Sequence, residues 1–158
     1  MTKTALITGA SRGLGLALAT SLAQKKWKLV IDARGAEALE QACLQLSKLT
    51  EVIAISGDVS GEVHVKKLIE AANQLGGLDV LVNNASVLGT SPQPTLANYP
   101  LDVLEQVYRV NVFAPLRLMQ LALPILKANS SVINISSDAG VEGYPGWGGY
   151  GSSKAALE

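Results

Sequence analysis

Short apolar runs alternate with longer segments of helical spacing along this chain. Residues 5–7, Ala-Leu-Ile, form a buried-strand pattern that stops at Gly9, and residues 16–23 follow, built mostly of good helix formers. Residues 28–32 read as a second strand. Residues 36–48 read as a helix, with Ala38, Leu39, Ala42 and Leu46 at helical spacing. A third strand over 52–55 precedes a helix over 62–75, whose Val65, Leu68, Ile69 and Ala72 share one face. Ser60 is placed to cap that helix, and Gly76-Gly77 to end it. Residues 78–82 are a fourth strand, followed by a turn-rich loop over 86–94. Helices over 101–110 and 113–128, a fifth strand over 132–135, a glycine-rich loop over 138–149 and a helical start over 152–157 complete the pattern. Strands alternating with helices predict βαβ crossovers and a parallel sheet, an α/β fold. No repeat, linker or low-complexity segment divides it, so residues 1–158 read as a single domain.

The pattern singles out the first strand-turn-helix. Gly9, Gly13 and Gly15 lie between strand and helix. Glycines allow a tight turn and close approach of a ligand to the backbone. The unpaired N–H groups and dipole of a helix start attract anions. The turn therefore reads as a phosphate seat, with plain strand-helix packing as the alternative. In a parallel α/β sheet, ligands bind at the carboxyl ends of the strands. Thr8, Asp58, Asn83-Asn84 and Ser136-Ser137 all stand at such ends.

Composition narrows the classes. Apolar residues make up 48% and charged residues 16%, which fits a sheet covered on both faces or an apolar oligomer surface. Thirteen basic residues balance thirteen acidic ones, so no net charge draws the chain to nucleic acid or anionic membrane. Cys43 stands alone, excluding an internal disulfide, and neither Cys43 nor His64 has partners at metal-ligand spacing. His64 reads as a surface or helix residue. No leader pattern precedes the first strand, and the apolar stretch 110–126 is interrupted by polar residues and prolines. These features predict a cytoplasmic protein with no membrane span and no metal.

Tyr150 and Lys154 are four residues apart, which puts them on one helix face. A nearby ammonium favours phenolate, and a tyrosine tuned in this way can exchange a proton with a substrate oxygen. Ser137 is placed to donate to the same oxygen.

Thr8-Gly9-x-x-x-Gly13-x-Gly15, Asp58-Val59, Asn83-Asn84-Ala85, Asn111, Asn134-Ile135-Ser136-Ser137 and Tyr150-x-x-x-Lys154 occur together along the whole chain. In this order and spacing the set resembles the classical short-chain dehydrogenases/reductases. The resemblance implies a Rossmann-type doubly wound parallel sheet of five strands in order 3-2-1-4-5. It implies a catalytic tetrad: Tyr150 as proton donor or acceptor, Lys154 lowering its pKa and binding the nicotinamide ribose, Ser137 orienting the carbonyl, and Asn111 holding a relay water. It places the cofactor on Thr8, Gly9, Ser11, Arg12, Gly13, Leu14, Gly15, Arg34, Asp58, Val59, Asn84 and Ala85, with Tyr150 and Lys154. The reaction implied is hydride transfer between a nicotinamide and a small-molecule carbonyl or alcohol, in a homodimer or homotetramer.

Asp32 ends strand two, where an acid can bind a ribose 2′-hydroxyl and select NAD(H). The selective acid of NAD-preferring relatives aligns one place later, at Ala33, and neighbouring strand positions face opposite ways. Arg12 and Arg34 are placed to clasp a 2′-phosphate, so NADP(H) is favoured over NAD(H). Ser86 replaces a frequent family glycine. Typical members continue well past the lysine. The resemblance therefore implies a C-terminally incomplete domain, lacking the family's last strands and lid and leaving strand five as an uncovered edge. A cofactor-binding sensor or interaction protein without turnover is the alternative reading.

Overall fold

The computed structural model describes residues 2–158. Five parallel strands form one sheet in the order β3-β2-β1-β4-β5. They are β1 (Thr4–Ile7), β2 (Lys28–Ala33), β3 (Val52–Ser56), β4 (Leu78–Asn83) and β5 (Leu126–Asn134). The helices are α1 (Gly13–Gln24), α2 (Ala36–Leu46), α3 (Glu62–Gln74), α4 (Leu101–Tyr108), α5 (Ala114–Ala122) and α6 (Gly148–Leu157). This is the Rossmann-type arrangement expected from the sequence.

Strand alternation sorts the core into two layers. Ala5, Ile7, Leu29 and Ile31 pack with Ala19 and Ala23 of α1 and with Leu39, Ala42 and Leu46 of α2. Leu6, Val30 and Leu81 face the other way, onto Leu68 and Ala72 of α3 and Leu118 and Ala122 of α5. With both faces covered, β1 is buried at all four residues. The winding reverses between β2 and β4, the two neighbours of β1. Such a reversal opens a crevice at the carboxyl ends of the strands, and the site lies there.

Several local expectations are corrected. The helix expected over 113–128 ends at Ala122, followed by a 3-10 turn over Leu123–Ile125. Pro124 has no N–H to bond back and cannot continue an α-helix, so the chain leaves it early. β5 accordingly begins at Leu126 instead of 132. Its pairing with β4 jumps register between Leu126 and Ser131. Asn129 takes φ +64° inside that irregularity. Helix α6 starts at Gly148, four residues before the expected start. Ser60 does not cap α3, whose N-cap is Gly61 without a side-chain bond. Its amide and hydroxyl donate to Asp58 Oδ1 instead, at 2.8 and 2.7 Å. Between α4 and α5, residues Arg109–Phe113 form a π turn around Asn111. Among the described residues no helix is long and apolar enough to cross a membrane.

Candidate active site

The glycine turn is fixed from two sides. Thr8 is buried at the end of β1, and its Oγ1 accepts from the amides of Asn84 and Ala85, both at 3.0 Å. Asn84 answers by donating through Nδ2 to the carbonyls of Thr8 (2.9 Å) and Gly9 (3.1 Å). On the other side, the Gly9 amide donates to Asp32 Oδ1 at 2.8 Å. Gly9 has φ +65°, and an added Cβ would stand 3.0 Å from Ala85 Cα. A Cβ on Gly15 would run into the Gly9 carbonyl and the Asn84 amide. Thr8 and Asn84 thus act on the turn's shape.

Helix α1 begins with Arg12 as N-cap, without a side-chain cap bond and without an acidic residue in the first turn. Its orphan amides are left to an anion. A cavity of about 410 Å³ opens beside this turn. Of the expected cofactor residues, Gly9, Ser11, Arg12, Arg34, Asp58, Val59, Asn84 and Ala85 line it. Thr8, Gly13, Leu14 and Gly15 do not. Gly13 (φ +56°) leaves open space where a Cβ would stand, and the Leu14 side chain is exposed. An uncapped helix start, a glycine floor and two arginines are a donor set that fits a dinucleotide's pyrophosphate and ribose.

Asp32 borders this cavity, yet it is only 1% exposed. Its Oδ2 meets His64 Nε2 at 2.9 Å. From its sequence context His64 is expected at the surface or on a helix. It lies on α3 with its side chain largely buried against Asp32. Spacing held the clue, since 64, 68, 71 and 75 continue one helix face and the last three are buried. Nothing local signalled the partner, 32 residues earlier. Asp58, past the end of β3, is held below the usual carboxylate range. Partial burial opposes that shift, and the Ser60 amide and hydroxyl, with the charges of Arg34 and His64, produce it.

The catalytic candidates gather around α6. Lys154 is 2% exposed and donates through Nζ to the Ile135 carbonyl at 2.7 Å, tying the helix to the chain just past β5. Burial lowers its pKa from the ordinary 10.5, because desolvation disfavours the ammonium. Its Nζ lies 5.6 Å from the centre of the half-buried Tyr150 ring, and Trp147 packs edge-on against that ring. Ser137 Oγ donates to Asp138 Oδ1 at 3.0 Å and accepts from the Ala139 amide at 3.3 Å. Asn111 is buried in the π turn. Its Nδ2 donates to the Val87 carbonyl (2.9 Å) and Ser153 Oγ (3.0 Å), and its Oδ1 accepts from the Val87 amide (2.9 Å) and Ser86 Oγ (3.2 Å). A side-chain amide offers two donors and two lone pairs, so Asn111 is saturated. Ser153, which the sequence reading did not single out, joins Asn111 to α6. None of the four catalytic candidates lines the cavity itself.

The sequence matches the short chain dehydrogenase family over residues 3–158. The chain belongs to this family. Among its short-chain relatives is the rhamnolipids biosynthesis 3-oxoacyl-acyl-carrier-protein reductase of Pseudomonas aeruginosa. The two are 39% identical over 162 residues, which cover 97% of this chain and 62% of that protein. The ketoacyl reductase HetN of a Nostoc species is 36% identical, over 98% of this chain and 54% of its own length. The solved Pseudomonas aeruginosa RhlG/NADP active-site complex superposes with a TM-score of 0.84 at 36% identity, covering 98% of this chain and 62% of that one. An NAD+-bound xylitol dehydrogenase superposes with a TM-score of 0.89 at 29% identity, covering 98% and 60%. The chain thus spans between 54% and 62% of the length of these short-chain dehydrogenases.

Proposed function

We propose that the protein is an NADP(H)-preferring oxidoreductase acting on a small-molecule carbonyl or alcohol. When bound, the dinucleotide supplies or accepts the hydride. Gly9, Gly13 and Gly15, with the start of α1, seat its pyrophosphate. Asp58 and Val59 flank the adenine. Tyr150 gives the carbonyl oxygen its proton, and Ser137 donates a hydrogen bond to the same oxygen. Lys154 binds ribose hydroxyls. Asn111 has no side-chain capacity left for a relay water. Its side chain positions α6 through Ser153. Outward-facing Phe113 and Leu116 on the π turn and α5 suit an interface between copies, in a homodimer or homotetramer.

One observation carries the cofactor preference. Asp32, the acid that could bind a 2′-hydroxyl, is buried and engaged by Gly9 and His64, while Arg12 and Arg34 both line the cavity. A 2′-phosphate meets two guanidinium groups there, and a 2′-hydroxyl meets no free carboxylate on β2. The RhlG/NADP complex supports this reading, and the NAD+-bound xylitol dehydrogenase stands against it. Dissociation constants for NADPH and NADH test it. NADPH should bind more tightly, and Arg34→Leu should weaken it on the order of 10- to 100-fold while leaving NADH within about two-fold. Tighter binding of NADH by the unaltered protein overturns the preference. A panel of aldehydes, ketones and β-keto thioesters with NADPH tests the substrate class.

A further inference from the structure

We infer that His64 is a positioning residue for the dinucleotide cradle, acting through Asp32 on the Gly9 turn. The inference rests on reading the cavity as a nicotinamide dinucleotide site. The Gly9 amide lies within the anion-binding turn, yet it donates at 2.8 Å to Asp32 Oδ1. The turn is therefore anchored from β2 as well as from the Asn84 side. The anchor is a carboxylate only 1% exposed, and a buried carboxylate holds its place only when its oxygens have donors. His64 Nε2 supplies one to Oδ2 at 2.9 Å. A carboxylate only accepts, so the ring nitrogen facing it carries the proton.

His64 is itself located by packing. Its ring occupies the space where a side chain on Gly57 would stand, and Gly57 lines the cavity. One imidazole on α3 thus connects the loop after β3, the end of β2 and the turn after β1. The residues expected to touch the nucleotide do not include it. Its influence passes to the pyrophosphate seat, which NADPH and NADH share. This separates it from Arg34, which the proposed reading places at the 2′-phosphate.

Two substitutions test the inference. His64→Gln keeps an N–H donor towards Asp32, whereas His64→Leu keeps bulk and removes the donor. Nicotinamide fluorescence gives dissociation constants for NADPH and NADH. Hydrogen exchange of the cofactor-free chain gives protection at the Gly9 amide. His64→Leu should weaken both cofactors by about 10-fold, with factors equal within about two-fold, and should speed exchange at Gly9. His64→Gln should restore most of both. Unchanged affinities and unchanged Gly9 exchange in His64→Leu overturn the inference, and so does a loss that His64→Gln fails to restore. If His64→Leu does not fold, the double variant Asp32→Asn, His64→Leu, which leaves no buried unpaired charge, is read against Asp32→Asn alone: weaker binding of both cofactors and faster Gly9 exchange in the double variant are expected, and equal values in the two overturn the inference. Failure of the unaltered chain to bind either cofactor overturns the dinucleotide reading, while Gly9 exchange still decides whether His64 anchors the turn.

Discussion

All four residues of β1 are buried, whereas β5 leaves Val132 and Ile133 38% and 45% exposed. The glycine turn after β1 and the candidate catalytic side chains after β5 differ in the same sense. The cradle is made of backbone: amides at a helix start, with Thr8, Asn84 and Asp32 bonded to main chain around it. The β5–α6 end is made of side chains on a helix that docks through glycines. A Cβ on Gly151 would strike the Ala139 carbonyl, and one on Gly149 the Tyr99 ring. A backbone site tolerates side-chain change but not a change in chain path. A side-chain site behaves the opposite way, and substitutions in the two regions should fail differently.

The largest effect is expected at the β5–α6 end. Tyr150→Phe removes only a hydroxyl, so it should cost carbonyl reduction about 10²- to 10⁴-fold while costing NADPH affinity far less. Turnover assays beside fluorescence titration read both, and full turnover would remove Tyr150 from the mechanism. In the cradle, Gly15→Ala forces a Cβ into the Gly9 carbonyl and Asn84. It should weaken NADPH and NADH alike by on the order of 10- to 100-fold and lower the melting temperature, since overpacking a rigid contact costs about 1–3 kcal/mol. Tight binding by Gly15→Ala would mean that the turn is more pliable than its bonds imply.

The smallest effect lies away from both regions. Glu62 at the start of α3 receives a forked pair of bonds from Arg117 on α5, at 2.6 and 2.9 Å, and pairs with Lys66. Bonds from Arg117 first, then Lys66, bring its pKa down from 4.5 to about 2. A depressed carboxylate contributes stability that is fully present above its unfolded value. That contribution is lost as pH falls from 4.5 through about 2. Glu62→Gln should therefore flatten the acid limb of a urea-unfolding series slightly, with no change in cofactor affinity. A steep change in affinity would tie this exposed pair to the cradle.

Legibility in the sequence followed the same division. Residues 5–7 and the three glycines announced the cradle, because strand burial and turn chemistry are local. The sheet order was implied by family resemblance and is the order observed. The end of α5 was misplaced because the apolar run through 126 outweighed Pro124. Ser60 looked like a cap because its type and place suit one, but Asp58, two residues away, competes for both its donors. The saturation of Asn111 and the pairing of His64 with Asp32 depend on residues brought together from distant parts of the chain, and no local spacing encodes them.

Thr8 has one further consequence. Its single hydroxyl receives two amides from the β4 loop, so the strand carrying the glycine turn and the strand bordering the catalytic side are joined before any nucleotide arrives. The entropy of shaping the cradle is spent once, during folding, and is not charged again at each binding event. On the proposed reading, a dinucleotide meets a turn already in shape.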